Sequence, residues 1–221
     1  MNKQAVADLP KMLVRRSAAS GTDRRVDSTE ELLIAVSDPT VGRIIMEEGT
    51  YKFSESMCPD SAICINRTVV IEAATNGAVV LDASSGAGRV IYVSAQAELR
   101  GLNITGGSVG AVSDCTYSYM YGEDLCKRDQ HVNGGAVYVA SGAAVKFESC
   151  NIYSNSARNV RMPAEPMRPL RSAMTRFRCP LLSQGGGIYV SGGIVTFDAS
   201  NIYSNMGLPG EGGVSCSNCE P

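Results

Sequence analysis

Apolar residues come along this chain in short bursts rather than long stretches. AVYV (136–139), AVKF (144–147) and CNIY (150–153) are each bounded by Gly, Ser, Ala or Asn. Runs of this length are too short for helices, and β-branched and aromatic residues fill them, which predicts strands. RIIME (43–47), TVVIEA (68–73) and AVVLDA (78–83) read the same way. One segment differs. Ser28-Thr29-Glu30-Glu31 has the spacing of a capping box and runs into LLIAV, so a short amphipathic helix is predicted there.

The bursts repeat. Residues 134–155 read GGAVYVASGAAVKFESCNIYSN, residues 185–205 read GGGIYVSGGIVTFDASNIYSN, and a weaker copy, GRVIYVSAQAELRGLNITGG, occupies 88–107. Anchoring on Tyr92, Tyr138 and Tyr189 puts Leu99, Phe147 and Phe197 in one class and Asn103, Asn151 and Asn201 in another. A unit of about 22 residues with three strands is one coil of a β-helix. A lone coil cannot bury its inward face, so coils must stack in register, with equivalent residues roughly 4.8 Å apart. Val and Ile columns then fill the interior. Asn103/Asn151/Asn201 and Asn155/Asn205 are expected to form hydrogen-bonded ladders at the turns. The domain is expected over 28–215, with the helix capping its first coil, an N-terminal tail over 1–27 that is disordered or follows a misplaced start, and a C-terminal tail over 216–221. Two insertions, at about 108–132 and 158–184, interrupt it after the third strand of a unit.

The repeat carries a resemblance. GGAV (134–137) and GGGI (185–188) resemble the GGA[IVL] motif of the polymorphic outer membrane protein repeat. That family pairs the motif with FxxN, and here the matching positions read Ile152-Tyr-Ser-Asn155 and Ile202-Tyr-Ser-Asn205, with Ile in place of Phe. EEGTY (47–51) looks like the "pGtY" start common in the pectin-lyase-like β-helix superfamily, which the chain resembles over roughly 28–215. The resemblance implies an all-β fold, a right-handed parallel β-helix solenoid. It assigns no activity, because lyases, hydrolases, adhesins and inert proteins share that fold.

Any activity must therefore rest on particular residues. β-Helix lyases need a carboxylate cluster for Ca²⁺ and a basic residue that removes a proton beside a uronate carboxyl. The hydrolase motifs NTD, DD, GHG and RIK are absent, and His131, in QHVNGG, reads as a turn residue. The alignment does place Arg100, Glu148 and Asp198 in one outward column and Glu98, Lys146 and Thr196 in a second. That pattern is either a small Ca²⁺ and proton-abstraction site or a set of cross-strand charge pairs, and the charge pairs are the favoured reading. No cofactor is expected unless the lyase alternative holds, in which case it is Ca²⁺.

Composition narrows the choice. Aromatics are 6% with no Trp, the formal charge is −2 and there is one His, which gives no general argument for nucleic-acid or membrane-surface binding. No apolar stretch has the length of a transmembrane segment. The first insertion carries Tyr117, Tyr119 and Tyr121, able to stack on sugar rings or to pack a closed loop. The second carries Arg168 and Arg171 among six Arg, suited to an anionic glycan or to solvent. Of the eight Cys, Cys58/Cys64 and Cys115/Cys126 bracket short loops and read as disulfides of an oxidising compartment; Cys216 and Cys219 form a lone C-x-x-C. Asn66-Arg-Thr68 and Asn103-Ile-Thr105 are glycosylation sequons, the second inside the expected ladder. The expected function is a non-catalytic secreted or cell-surface β-helix that binds polysaccharide or cell-surface glycan, with a pectate-lyase-like enzyme and a fragment of a longer repeat protein as alternatives.

Overall fold

The structure, a computed structural model, describes residues 21–58, 60–111, 116–117, 124–125, 133–159, 185–207 and 212–217. The chain begins with β1 (Thr22–Val26), α1 (Thr29–Ser37), β2 (Val41–Met46), β3 (Gly49–Lys52), β4 (Ser61–Ile65), β5 (Val69–Ala73) and β6 (Val79–Asp82). It continues through β7 (Arg89–Val93), β8 (Gln96–Arg100), β9 (Leu102–Thr105), β10 (Ser108–Ala111), β11 (Thr116–Tyr117) and β12 (Asp124–Leu125). The remaining strands are β13 (Val137–Val139), β14 (Ala144–Glu148), β15 (Asn151–Tyr153), β16 (Ser156–Asn159), β17 (Ile188–Ser191), β18 (Ile194–Asp198), β19 (Asn201–Tyr203) and β20 (Val214–Ser217).

Most of these strands belong to three sheets. The first has the order β1-β2-β5-β8-β14-β18, the second β3-β6-β9-β15-β19 and the third β4-β7-β13-β17-β20. Every pairing within them is parallel. Parallel neighbours need a crossover between them. From β4 onward, each crossover contains one strand of each of the other two sheets. One visit to each sheet makes a rung. The fold is thus mostly β, with parallel sheets and a single helix among the described residues.

Side chains alternate along each strand, so one face of every sheet turns inward. Register then builds columns: Ile44–Ile71–Leu99–Phe147 in the first sheet, Tyr51–Leu81–Ile104–Ile152 in the second, Ile63–Ile91–Val137–Ile188 in the third. All twelve are buried in one continuous core. Burying each is worth about 1.5–3 kcal/mol relative to exposure, which offsets the cost of ordering strands this short. The corners need left-handed backbone. Gly101 supplies it in one rung (φ 66°), and Ser149 (φ 54°) and Ala199 (φ 47°) accept it at the matching positions. A Cβ on Gly101 would stand 2.6 Å from Asn76 Oδ1 and 3.2 Å from Asn76 Cα, so the Asn76 side chain would have to move aside, in addition to the backbone strain.

The two ends of the stack differ. At the N-terminal end Leu32, Ala35 and Val36 of α1 are buried over the core. Ser28 Oγ accepts from the Glu31 amide at 3.4 Å, and the Glu31 carboxylate accepts from the Asp27 amide at 3.3 Å. The helix's last carbonyls find Arg67, whose Nη2 donates to Ala35 O (2.8 Å) and whose Nε donates to Val36 O (3.1 Å). At the other end Ile194, Phe197, Tyr203 and Val214 are all exposed, although Phe197 still stacks on Phe147 at 5.3 Å.

Three boundaries are corrected. Residues 22–26, placed in the N-terminal tail by sequence, form β1. TDRRV hides its role because charged side chains suit an outermost strand, and only Val26 is buried. Residues 108–111, placed in the first insertion, form β10, which pairs in parallel with β16. The parallel pairing that follows the third sheet strand of a rung thus runs to Ala111 and Asn159. β20 reaches Ser217, two residues into the segment assigned to the C-terminal tail.

Candidate functional site

The outer face of the first sheet collects the charges singled out by sequence. Glu72, Arg100, Glu148 and Asp198 are successive register partners, and so are Glu98, Lys146 and Thr196. The strands hold these side chains close enough to pair. Arg100 reaches Glu98 at 2.8 Å through Nη2, Glu72 at 3.4 Å through Nη1 and Glu148 at 3.6 Å through Nε. Lys146 Nζ contacts Glu148 at 2.7 Å and Glu98 at 3.2 Å. Arg43 extends the network, bonded to Glu72 and 3.5 Å from Asp23. Asp198 lies in register but has no ion pair among the described residues.

These contacts fix the protonation states. Burial lowers the affinity of Arg100 for its proton, but the hydrogen bond that it donates to Glu98 and the charges of Glu98, Glu148 and Glu72 outweigh it, and its pKa rises above the ordinary value. The hydrogen bond to Glu148 chiefly raises Lys146, and the same bond lowers Glu148. A proton-abstracting base must be able to lose its proton, and the direction of this shift opposes that loss at Arg100. The carboxylates are occupied too. Among the described residues no group of three or more His, Cys, Asp or Glu is arranged to hold a metal ion.

The asparagines form two ladders. Asn151 Nδ2 donates to Asn103 Oδ1 at 2.9 Å, Asn201 Nδ2 to Asn151 Oδ1 at 3.1 Å, and Asn103 Nδ2 to Gly77 O at 2.7 Å. Buried Asn155 accepts from the Gly107 amide (2.9 Å) and donates to Ile104 O, Tyr153 O and Asn205 Oδ1. Beside this ladder lies a shallow open groove lined by Ser108, Ser154, Ser156, Ser204 and Met206. Cys58 and Cys64 are joined in a disulfide with Cα atoms 6.1 Å apart. Cys216 is also disulfide-bonded, so its sulfur is not a free thiolate for zinc. Cys115, Cys126, Tyr119, Tyr121, Arg168, Arg171 and His131 lie outside the described residues, as does the side chain of Tyr117.

Two features escaped the sequence reading. Tyr92, Tyr138 and Tyr189 line up along the third sheet: Tyr92 and Tyr138 stack with centroids 5.5 Å apart, and Tyr189 packs against Tyr138 tilted by 37° at 5.4 Å. Arg89 is buried, with its guanidinium 5.1 Å from the Tyr138 centroid. It donates to Asn133 O (2.8 Å), Gly134 O (2.9 Å) and Ser61 Oγ (2.8 Å), and burial lowers its pKa to about 10. The signal was present in the repeat: GRVIYV has Arg where GGAVYV and GGGIYV have Gly.

Fold and site together define a parallel-sheet β protein whose charged face is closed on itself by ion pairs. Comparison of the chain with protein-family models, with curated proteins and with solved structures found no match.

Proposed function

We propose that this chain is a right-handed parallel β-helix of the pectin-lyase-like kind and acts as a non-catalytic secreted or cell-surface protein that engages glycans through its surface. The cyclic visiting order of the three parallel sheets supports the β-helix. One observation carries the non-catalytic reading: Arg100, the best-placed base, is bound to three carboxylates and held protonated. The Cys58–Cys64 disulfide supports an oxidising compartment.

The test is an absorbance assay for unsaturated uronides, with polygalacturonate and alginate, with and without Ca²⁺. The expected result is no product from protein shown by circular dichroism to be β-folded, together with retention on immobilised acidic or neutral glycans. Calcium-dependent release that Arg100→Ala abolishes would overturn the reading in favour of a lyase.

A further inference from the structure

We infer that Asn66 is an N-glycosylation site, and that the second sequon, at Asn103, is closed by the fold. The inference rests on the secreted reading above, because the modification belongs to an exporting compartment. The two sequons, Asn66-Arg67-Thr68 and Asn103-Ile104-Thr105, are equivalent as sequence. Their surroundings are not.

Asn66 and Thr68 occupy the corner between β4 and β5, and both are exposed. The corner is held by its middle residue. Arg67 turns inward and donates to Ala35 O, Val36 O and Val41 O, at 2.8, 3.1 and 2.5 Å. With Arg67 pinned, Asn66 and Thr68 project away from it, and neither side chain has a hydrogen-bond partner among the described residues. Ser94, Ala95, Ala140 and Gly142 at the following corners are small, which leaves the outer edge of the stack clear for a bulky group. Two residues before Asn66 lies Cys64, already in a disulfide.

Asn103 is the opposite case. Its Nδ2, the atom that would carry the sugar, donates to Gly77 O at 2.7 Å, and its Oδ1 accepts from Asn151 at 2.9 Å. A glycan there would have to replace one of the two Nδ2 hydrogens of a half-buried side chain already held between Gly77 and Asn151.

In the reaction, a host transferase supplies a polyprenyl-diphosphate-linked oligosaccharide. The bond from sugar C1 to the phosphate oxygen breaks, a bond from C1 to Asn66 Nδ2 forms, and the amide proton leaves as the diphosphate departs with the electron pair. No oxidation occurs.

Two measurements test this. Peptide mapping of the protein from its own source should find the Cys58–Cys64 disulfide and a glycan on Asn66. An intact disulfide with bare Asn66 would overturn the site alone; reduced Cys58 and Cys64 would overturn the secreted reading and the site together. In a glycosylating secretion host, Asn66→Gln and Thr68→Ala should each lose the whole mass removed by peptide N-glycosidase. Thr105→Ala, which deletes the second sequon and leaves the Asn103 amide in its ladder, should retain it. A glycan lost in Thr105→Ala and kept in Asn66→Gln reverses the assignment.

Discussion

At Arg89 a cation replaces the glycine that both later copies carry, and the replacement ties three segments together. Its donors satisfy the carbonyls of Asn133 and Gly134 and the hydroxyl of Ser61, where the chain returns to the rungs after its first long excursion. Arg89→Met keeps the length and removes the donors, so it should cost about 2–3 kcal/mol, read as a lower urea midpoint with unchanged slope. No change in midpoint would mean that water replaces the guanidinium. Glu148 gives a pH-dependent counterpart. Its folded pKa is lowered by Lys146, so the unfolded chain binds a proton first as pH falls below the ordinary 4.5. The contribution is complete above that value and is lost as pH drops through the folded pKa. The carboxylate is partly exposed, so the effect is small. Melting temperature should fall more steeply below pH 4.5 in the native chain than in Glu148→Gln, and parallel curves would remove Glu148 from the acid response.

Elements show where pattern sufficed and where it did not. The helix was legible because Ser28 and Glu31 set a cap ahead of an apolar run, and the ladders were legible because Asn103, Asn151 and Asn201 recur at one position of the repeat. β1 was not, because an outermost strand can be mostly charged: pairing with β2 needs backbone amides rather than apolar side chains. The closure of the charged face was half-legible. Alignment gave the columns, but whether Arg100 faced a substrate or three carboxylates depended on Glu72, a residue outside the three aligned copies. Asn155 is the sharpest test at this scale. Asn155→Ala leaves the buried Gly107 amide without its acceptor and breaks the link to Asn205, at a cost of about 1–3 kcal/mol. Asn201→Ala, at the exposed end of the other ladder, should cost less than half as much. Equal losses from the two would show that the ladders act by register alone.

Across the whole molecule, stability should be graded. In the proposed β-helix each rung touches only its neighbours, so protection depends on how many neighbours lie beyond it. Amides of β5 and β8 sit between rungs and behind the α1 cap, whereas β18 and β19 form the outermost strands of their sheets at an end with exposed Ile194, Phe197 and Tyr203. Hydrogen exchange should therefore be slowest in β5 and β8 and fastest in β18 and β19. Uniform protection along the stack would show all-or-none opening and contradict the graded picture. Replacing Ile194 or Tyr203 with Lys should reduce self-association, measured by light scattering, with little loss of stability.

The two excursions give the molecule a freedom that few folds have. Leu99 lies 28 residues after its partner Ile71, and Phe147 lies 48 residues after Leu99, yet the register passes through all three without a shift. Length added after β10 or β16 is invisible to the sheets. Natural variation, or a protein engineer, can change the length of chain between those rungs and leave the register of the strands on either side unaltered. New recognition can thus be acquired there without renegotiating the core.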